Sequence, residues 1–154
     1  MELDVVMDGD PISASNHVSR YCPPSKVDHD PVTMKPIGIS KDNFLRRSKN
    51  GTVERGVSVN WIEKHSKPTI TEALASVRKR MESYPYKVSD EGAFGIAKIQ
   101  SIIDAGEKLN TKLSVIEDHR SDDDSHALIL GIGIEDYLLQ QEIAFTMDHY
   151  PAKL

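Results

Sequence analysis

Five prolines lie within the first 36 residues of the chain, and they restrict its fold more than any other feature of the sequence. They are Pro11, Pro23, Pro24, Pro31 and Pro36. Because proline lacks a backbone N–H and its ring clashes with the preceding helical turn, no long helix fits among them. Glycine, aspartate and serine are also frequent over the first 56 residues. We therefore predict loops and short strands in this part of the chain, and helices in the second half.

Two segments of the first part show the alternation of β-strands. Residues 16–21 alternate in side-chain character and end before a pair of prolines, which predicts a strand. In residues 57–62, large apolar side chains occupy every second position, with Ser58 and Asn60 between them. This pattern predicts a half-buried strand whose two polar residues lie on the face opposite the apolar ones.

A helix is predicted where the second half of the chain begins. Thr69-Ile-Thr-Glu72 has the spacing of a capping box, in which the first side chain bonds the backbone three residues later. Apolar residues then recur at intervals of three and four up to Met81. We predict an amphipathic helix that ends near Tyr84-Pro85.

Strands and helices alternate in the rest of the chain. A strand that begins at Ala93 runs into a short helix, and another strand spans residues 113–117. The apolar run in residues 125–132 is typical of a strand covered on both faces, and we expect it to be the innermost one. A last helix is predicted from Ile134 to Tyr150.

These elements predict an α+β fold, with a mixed β-sheet and helices packed mainly on one face. The length of 154 residues and an apolar content of 38% fit a single domain with one core. Within it, residues 1–15 are expected to form a flexible, acidic N-terminal segment.

Composition argues against several partners and locations. Acidic residues outnumber basic ones by 24 to 19, and with a net charge of -5 we do not expect a nucleic-acid partner. The longest apolar run, residues 127–130, is far shorter than the roughly 20 residues of a membrane-spanning helix. The first ten residues contain three aspartates and no basic residue, unlike a secretory signal. We therefore expect a cytoplasmic protein that does not enter the membrane.

Three segments of the chain resemble a family of small, uncharacterised bacterial proteins. They are His17-Val-Ser-Arg-Tyr-Cys22, Ser58-Val-Asn-Trp-Ile-Glu63 and Asp124-Ser-His-Ala-Leu-Ile129. The resemblance spans most of the chain. It implies a bacterial origin and a shared fold, and it brings no assigned activity with it.

His17 and Ser19 form a His-x-Ser pattern, which two-histidine phosphoesterases use to hold a cyclic phosphate. In such chemistry one imidazole accepts a proton, the other donates one, and hydroxyls bond the phosphate oxygens. The candidate partner is His126, but Ala127 follows it where a second hydroxyl would be needed. In the competing interpretation, His17 is a partly buried strand histidine bonded to the backbone.

The segment that precedes and includes His126 is also a candidate metal site. His119, Asp122 and His126 are its candidate ligands, because imidazoles and carboxylates bind divalent ions. A run of aspartates between strands is, however, usually a solvated connection. We therefore expect neither a metal nor a cofactor. The single cysteine, Cys22, is expected to be a small packed residue.

Two functional hypotheses follow from these patterns. The first is a small binding or accessory module that acts through contacts with another protein, because polar groups suited to chemistry occur only in fragments. The alternative is an enzyme acting on a phosphate-containing small molecule or nucleic acid. It would use His17 and His126 as proton carriers, Ser19 and Arg20 as phosphate contacts, and Asp124 to orient a histidine. The sequence leaves homo-oligomerisation open.

Overall fold

A computed structural model of the chain describes residues 9–46, 48–49, 51–83 and 86–153. The strands are β1 (His17–Cys22), β2 (Val27–His29), β3 (Pro36–Ile39), β4 (Ser48–Lys49), β5 (Thr52–Val53), β6 (Val57–Trp61), β7 (Ala93–Lys98), β8 (Ser114–Glu117), β9 (His126–Leu130) and β10 (Asp148–Pro151). The α-helices are α1 (Ile70–Glu82), α2 (Ile99–Lys108) and α3 (Tyr137–Phe145). Short 3-10 helices span Pro24–Lys26, Lys41–Phe44 and Glu63–His65.

A six-stranded sheet forms the centre of the molecule, in the order β10-β7-β1-β6-β9-β8. The predicted α+β class is confirmed, although all the described pairings in this sheet are antiparallel and the expected mixture of directions is not seen. Two small hairpins, β2 with β3 and β4 with β5, lie outside it. The expectation that β9 is innermost is wrong, because β1 and β6 hold that position. The apolar run of β9 reflects burial of both faces of this strand, since four of its five residues are buried.

The helices divide unequally between the two faces of the sheet. Helices α2 and α3 pack with one face into a core that includes Ile102 and Ile143. Helix α1 covers the other face through Leu74 and Val77, which are fully buried. Two of the three helices therefore lie on one face, as predicted. None of the helices among the described residues is long and apolar enough to cross a bilayer.

Helix α1 begins as the sequence predicted. The Thr69 hydroxyl accepts a hydrogen bond from the Glu72 backbone N–H at 3.1 Å, which satisfies one of the free donors of the first turn. The helix ends at Glu82. The predicted stop at residues 84 and 85 lies outside the described residues.

The C-terminal part differs from its prediction. The helix predicted from Ile134 to Tyr150 is shorter, because α3 begins after the capping residue Asp136 and ends at Phe145. Strand β10 follows and pairs with β7 at the edge of the sheet. The free backbone groups of β7 give this segment a hydrogen-bonding partner that a local helical pattern does not reveal.

The predicted flexible segment of residues 1–15 is described from Gly9 onward. Pro11 forms an isolated bridge with Ile116. Ile12 is buried, and its N–H donates to the Val115 carbonyl at 3.0 Å. The described part of this segment therefore lies against β8.

Candidate functional site

A gap between the two central strands lies beside a polar cavity. Among the described residues, β1 and β6 pair only through Val18 with Trp61 and Ser19 with Asn60, although both strands continue beyond these pairs. The Arg20 side chain spans the separation, and its Nη1 donates to the Ser58 carbonyl at 2.8 Å. The guanidinium thus satisfies a carbonyl that the neighbouring strand no longer reaches.

The cavity beside this gap, called here the strand-gap cavity, has a volume of about 180 Å³. Its walls combine residues of the sheet with residues of the α1 side and of the segment after β8. They are Ser19, Arg20, Tyr21, Glu54, Ser58, Asn60, Met81, Tyr86, Arg120 and His126. The walls are therefore polar toward the sheet and partly aromatic toward α1, and they carry arginines.

Ser19 contributes an unpaired hydroxyl to the wall of the cavity. The residue is 1% exposed. Its Oγ has no hydrogen-bond partner within the described part of the chain. A buried hydroxyl without a partner is costly, by about 1–3 kcal/mol on the scale of protein substitutions. A ligand that reaches it would satisfy this group, although the Oγ atom itself has almost no exposed surface in this structure.

His126 presents one ring nitrogen to the cavity in a defined protonation state. Its Nδ1 lies 3.1 Å from the backbone carbonyl oxygen of Asp118 and 3.0 Å from Oδ2 of the Asp118 side chain. Because a carbonyl oxygen only accepts, Nδ1 carries the proton and the neutral ring has its lone pair on Nε2. Burial, with the nearby Arg120 charge, lowers the pKa of His126 against the opposing effect of Asp118. The imidazole is therefore neutral near pH 7, the form in which Nε2 can accept a proton.

A buried polar network supports the cavity from behind. The Asp123 carboxylate, 1% exposed, accepts hydrogen bonds from Asn60 Nδ2 at 2.7 Å and from Ser125 Oγ at 2.7 Å. Burial alone would raise the pKa of Asp123, but the hydrogen bonds from Ser125, Asn60 and Arg80 lower it overall. His65 Nε2 lies 2.9 Å from Ser125 Oγ, and burial lowers the pKa of this imidazole too. The network joins α1 to the end of the sheet.

The structure brings three of the predicted catalytic residues together and leaves two elsewhere. Ser19, Arg20 and His126 all line the strand-gap cavity. His17 does not line it, and its Nδ1 contacts Glu63 Oε2 at 2.7 Å. Asp124 pairs with Arg80 and not with a histidine.

The candidate metal ligands contact separate partners. His119 Nε2 lies 2.7 Å from Glu117 Oε1, whereas His126 contacts Asp118. Asp122 is exposed in the turn that Arg120 and Asp123 close with two backbone hydrogen bonds. Within residues 9–46, 48–49, 51–83 and 86–153, no group of three or more His, Cys, Asp or Glu residues is arranged to hold a metal ion.

Cys22 is fully buried, and burial raises the pKa of its thiol to about 12. Its Sγ lies 3.3 Å from the Arg20 carbonyl oxygen, to which the thiol donates. A thiol with such a pKa is not a nucleophile at neutral pH, which agrees with the expectation of a packed residue.

Several cavity residues were not found from the sequence. Asn60 and Ser58 were predicted on the polar face of their strand, but nothing local showed that this face lines a cavity. Arg120 and Tyr86 come from loops, whose position depends on tertiary contacts. Asp118, the carboxylate that contacts His126, was predicted only as part of an acidic loop. The signal in the sequence was that Asp118 directly follows β8.

No family model, curated protein or solved structure matches the chain.

Proposed function

We propose that the protein is an enzyme that binds a phosphate-containing small molecule in the strand-gap cavity and uses His126 to accept a proton from it. The unpaired Ser19 hydroxyl, in the same cavity as Arg20 and His126, is the observation that carries this proposal. Hydroxyls and guanidinium groups are the usual donors to phosphate oxygens. The cavity offers both beside a neutral, oriented imidazole.

The charges around the cavity support an anionic ligand. Arg20 and Arg120 line it together with one carboxylate, Glu54. The Arg120 side chain is 54% exposed, and its Nε lies 3.8 Å from Asp118 Oδ2, a separation typical of a weak surface pair. A phosphate that approaches Arg120 would therefore compete with a weak contact and not with a buried one.

A small ligand fits this proposal better than a nucleic acid. The cavity volume of about 180 Å³ holds a phosphate group with a few further atoms. The net charge of -5 opposes the approach of a polyanion. A bacterial, cytoplasmic setting for the reaction is part of this proposal.

Calorimetric titration tests binding, with inorganic phosphate and racemic glycerol phosphate as the probes. We expect saturable binding by the native protein that is about tenfold weaker in Arg120→Met, because one charge-assisted hydrogen bond is removed. Lys153→Met, a charge change at the far end of the chain, is the control. Absence of binding to both probes, in a folded sample, would contradict the proposal.

Turnover is tested separately by ³¹P NMR on a panel of sugar and nucleoside phosphates. We expect His126→Asn to lower the rate by about 10²-fold or more, the usual contribution of a general base. His149→Asn, on the exposed edge strand β10, controls for the loss of any imidazole. His17 does not line the cavity, so a loss of rate in His17→Asn as large as that in His126→Asn would contradict the assignment of His126 as the proton acceptor.

We also propose a second role, in which another protein docks on an apolar surface at the other face of the sheet. The surface consists of Ile37, Leu138 and Phe145, which are 60%, 74% and 73% exposed. Ile37 and Phe145 border a groove of about 280 Å³ between β3 and α3. Large exposed apolar side chains that lie together often mark contacts between proteins.

Co-purification from the native cell tests this docking role. We expect a stoichiometric partner that is lost with Phe145→Asp and retained with Tyr86→Ser, which changes the cavity side only. A partner retained by Phe145→Asp would show that the apolar surface is not the contact.

A further inference from the structure

Asn60 lies in the middle of a row of polar side chains at the sheet wall of the strand-gap cavity. It pairs across strands with Ser19 on one side and with His126 on the other. Side chains opposite each other on neighbouring strands share a face of the sheet, about 5 Å apart. Any ligand in the cavity that reaches both Ser19 and His126 must therefore also meet Asn60.

The orientation of the Asn60 amide is fixed by the network behind the cavity. Its Nδ2 donates to Asp123 Oδ2 at 2.7 Å and to Ser125 Oγ at 3.0 Å, so both amide hydrogens are used. The carboxylate of Asp123 can only accept, because hydrogen bonds keep its pKa low despite its burial. If the Asn60 amide were turned around, its Oδ1 would lie against Oδ2 of Asp123, and neither oxygen could donate a hydrogen bond. The Oδ1 atom of Asn60 is therefore the one left for the cavity.

The rest of the network holds this orientation in place. Ser125 Oγ donates to Asp123 Oδ1 at 2.7 Å, so it accepts from Asn60 and from His65 Nε2. His65 Nδ1 in turn lies 2.7 Å from the Ser76 hydroxyl of α1. Each donor in this hydrogen-bond network has an acceptor, which leaves no alternative arrangement for the Asn60 amide.

Two hydrogen-bond acceptors consequently remain on neighbouring residues that line the cavity. One is Asn60 Oδ1, and the other is Nε2 of the neutral His126 ring. The dianion HPO₄²⁻ carries a single P–OH donor and can serve only one of them, whereas the phosphate group of a dianionic alkyl ester, whose oxygens only accept, gains nothing from either. A ligand that also carries hydroxyl groups can donate to both while its phosphate lies toward Arg20. An adjoining hollow of about 240 Å³, which shares Glu54, Ser58 and Arg120 with the cavity, leaves room for the carbon skeleton.

We propose that Asn60 determines specificity by selecting a phosphate ester with free hydroxyl groups, such as a sugar or polyol phosphate, over phosphate itself and over alkyl phosphates. The proposal rests on the phosphate-binding function proposed above and defines its substrate class. Hydroxyl donors fit better than ammonium groups, because two arginines already line the cavity.

Glycerol phosphate and n-propyl phosphate form the matched pair of probes, because they share the three-carbon skeleton and the charge and differ only in hydroxyl groups. By calorimetry we expect glycerol phosphate to bind the native protein at least about tenfold more tightly, the value of one well-made hydrogen bond. Equal binding of the two probes and of inorganic phosphate would overturn the role of Asn60 and leave phosphate binding intact. Absence of binding to all three would overturn both proposals.

Asp123→Asn tests the orientation of Asn60 directly. Oδ1 of Asp123 accepts hydrogen bonds from Ser125 and Arg80, whereas Oδ2 accepts one from Asn60. An asparagine here keeps its oxygen toward Ser125 and presents an NH₂ group to Asn60, whose amide must then turn its own NH₂ toward the cavity. We expect the preference for glycerol phosphate over propyl phosphate to fall below about twofold.

Asp90→Asn is the matched control, because it also removes a carboxylate from an arginine of α1, here Arg78, without touching Asn60. We expect this control to keep the full preference for glycerol phosphate. Asn60→Ser, which keeps a donor to Asp123 but shortens the side chain, decides the question if Asp123→Asn fails to fold. A preference that persists in either folded test variant would overturn the proposal.

Discussion

Two buried serines in the same sheet region provide a matched test of the unpaired hydroxyl. Ser19 and Ser125 are 1% and 0% exposed, and both can be replaced by alanine with the loss of a single oxygen atom. Ser19 Oγ has no partner among the described residues, whereas Ser125 Oγ contacts Asp123, Asn60 and His65. Ser125→Ala should therefore destabilise the protein, whereas Ser19→Ala should not.

The expected changes in the free energy of unfolding follow from the hydrogen bonds that each serine oxygen makes. Removing an unpaired buried hydroxyl relieves a desolvation cost, so Ser19→Ala should be neutral or should stabilise the ligand-free protein by up to about 1–3 kcal/mol. Ser125→Ala removes hydrogen bonds to a charged carboxylate and leaves donors of Asn60 and His65 unpaired, so it should cost about 1–3 kcal/mol. The difference between the variants should be at least about 1 kcal/mol.

Urea unfolding followed by the fluorescence of Trp61, the single tryptophan, measures both free energies of unfolding. Far-ultraviolet circular dichroism gives an independent transition for comparison. Equal destabilisation by the two substitutions would refute the assignment of Ser19 as an unpaired group in the cavity wall. A rise in stability for Ser19→Ala, together with weaker binding of glycerol phosphate, is the expected combination.

Three further outcomes are expected from the same structure. Burial lowers the pKa of His65 and of His126 below 6.5, so these histidines take up protons at a higher pH in the unfolded state than in the folded state. The free energy of unfolding should therefore fall as the pH drops through about 6.5. Urea unfolding at pH 7.5 and 5.5 measures this fall, which should be smaller in His65→Gln. Cys22, with its pKa near 12, should react with a thiol reagent only when the protein opens, so a labelling rate that does not increase with urea would contradict its burial. Leu74→Ala in the core should cost about 2–5 kcal/mol, whereas the same change at Leu138, which is 74% exposed, should cost less than about 0.5 kcal/mol by thermal or urea unfolding.

The elements predicted correctly from the sequence are those with strong local signals. The capping box at Thr69 and the alternation in residues 57–62 depend only on near neighbours in the chain, and both α1 and β6 form where expected. Strand β10 was missed because it exists only through pairing with β7. The position of β9 was predicted wrongly because the burial of both faces of a strand does not specify its place in the order of the sheet.

The candidate site was predictable in part, for the same reason. Ser19, Arg20 and His126 were chosen by chemical type, and the structure places all three around one cavity. The separation of β1 from β6, which opens that cavity, depends on strand pairing and leaves no mark in the local sequence. The orientation of Asn60 likewise depends on Asp123, which lies 63 residues away in the chain.

The most direct test of the proposed site is a map of chemical shifts by NMR as glycerol phosphate is added. The expected result is a set of saturable shifts at the Ser19 and Asn60 backbone amides and at the ring of His126, with little change at His149. Saturable shifts centred elsewhere, or none at all at millimolar ligand, would contradict the assignment of the strand-gap cavity as the functional site.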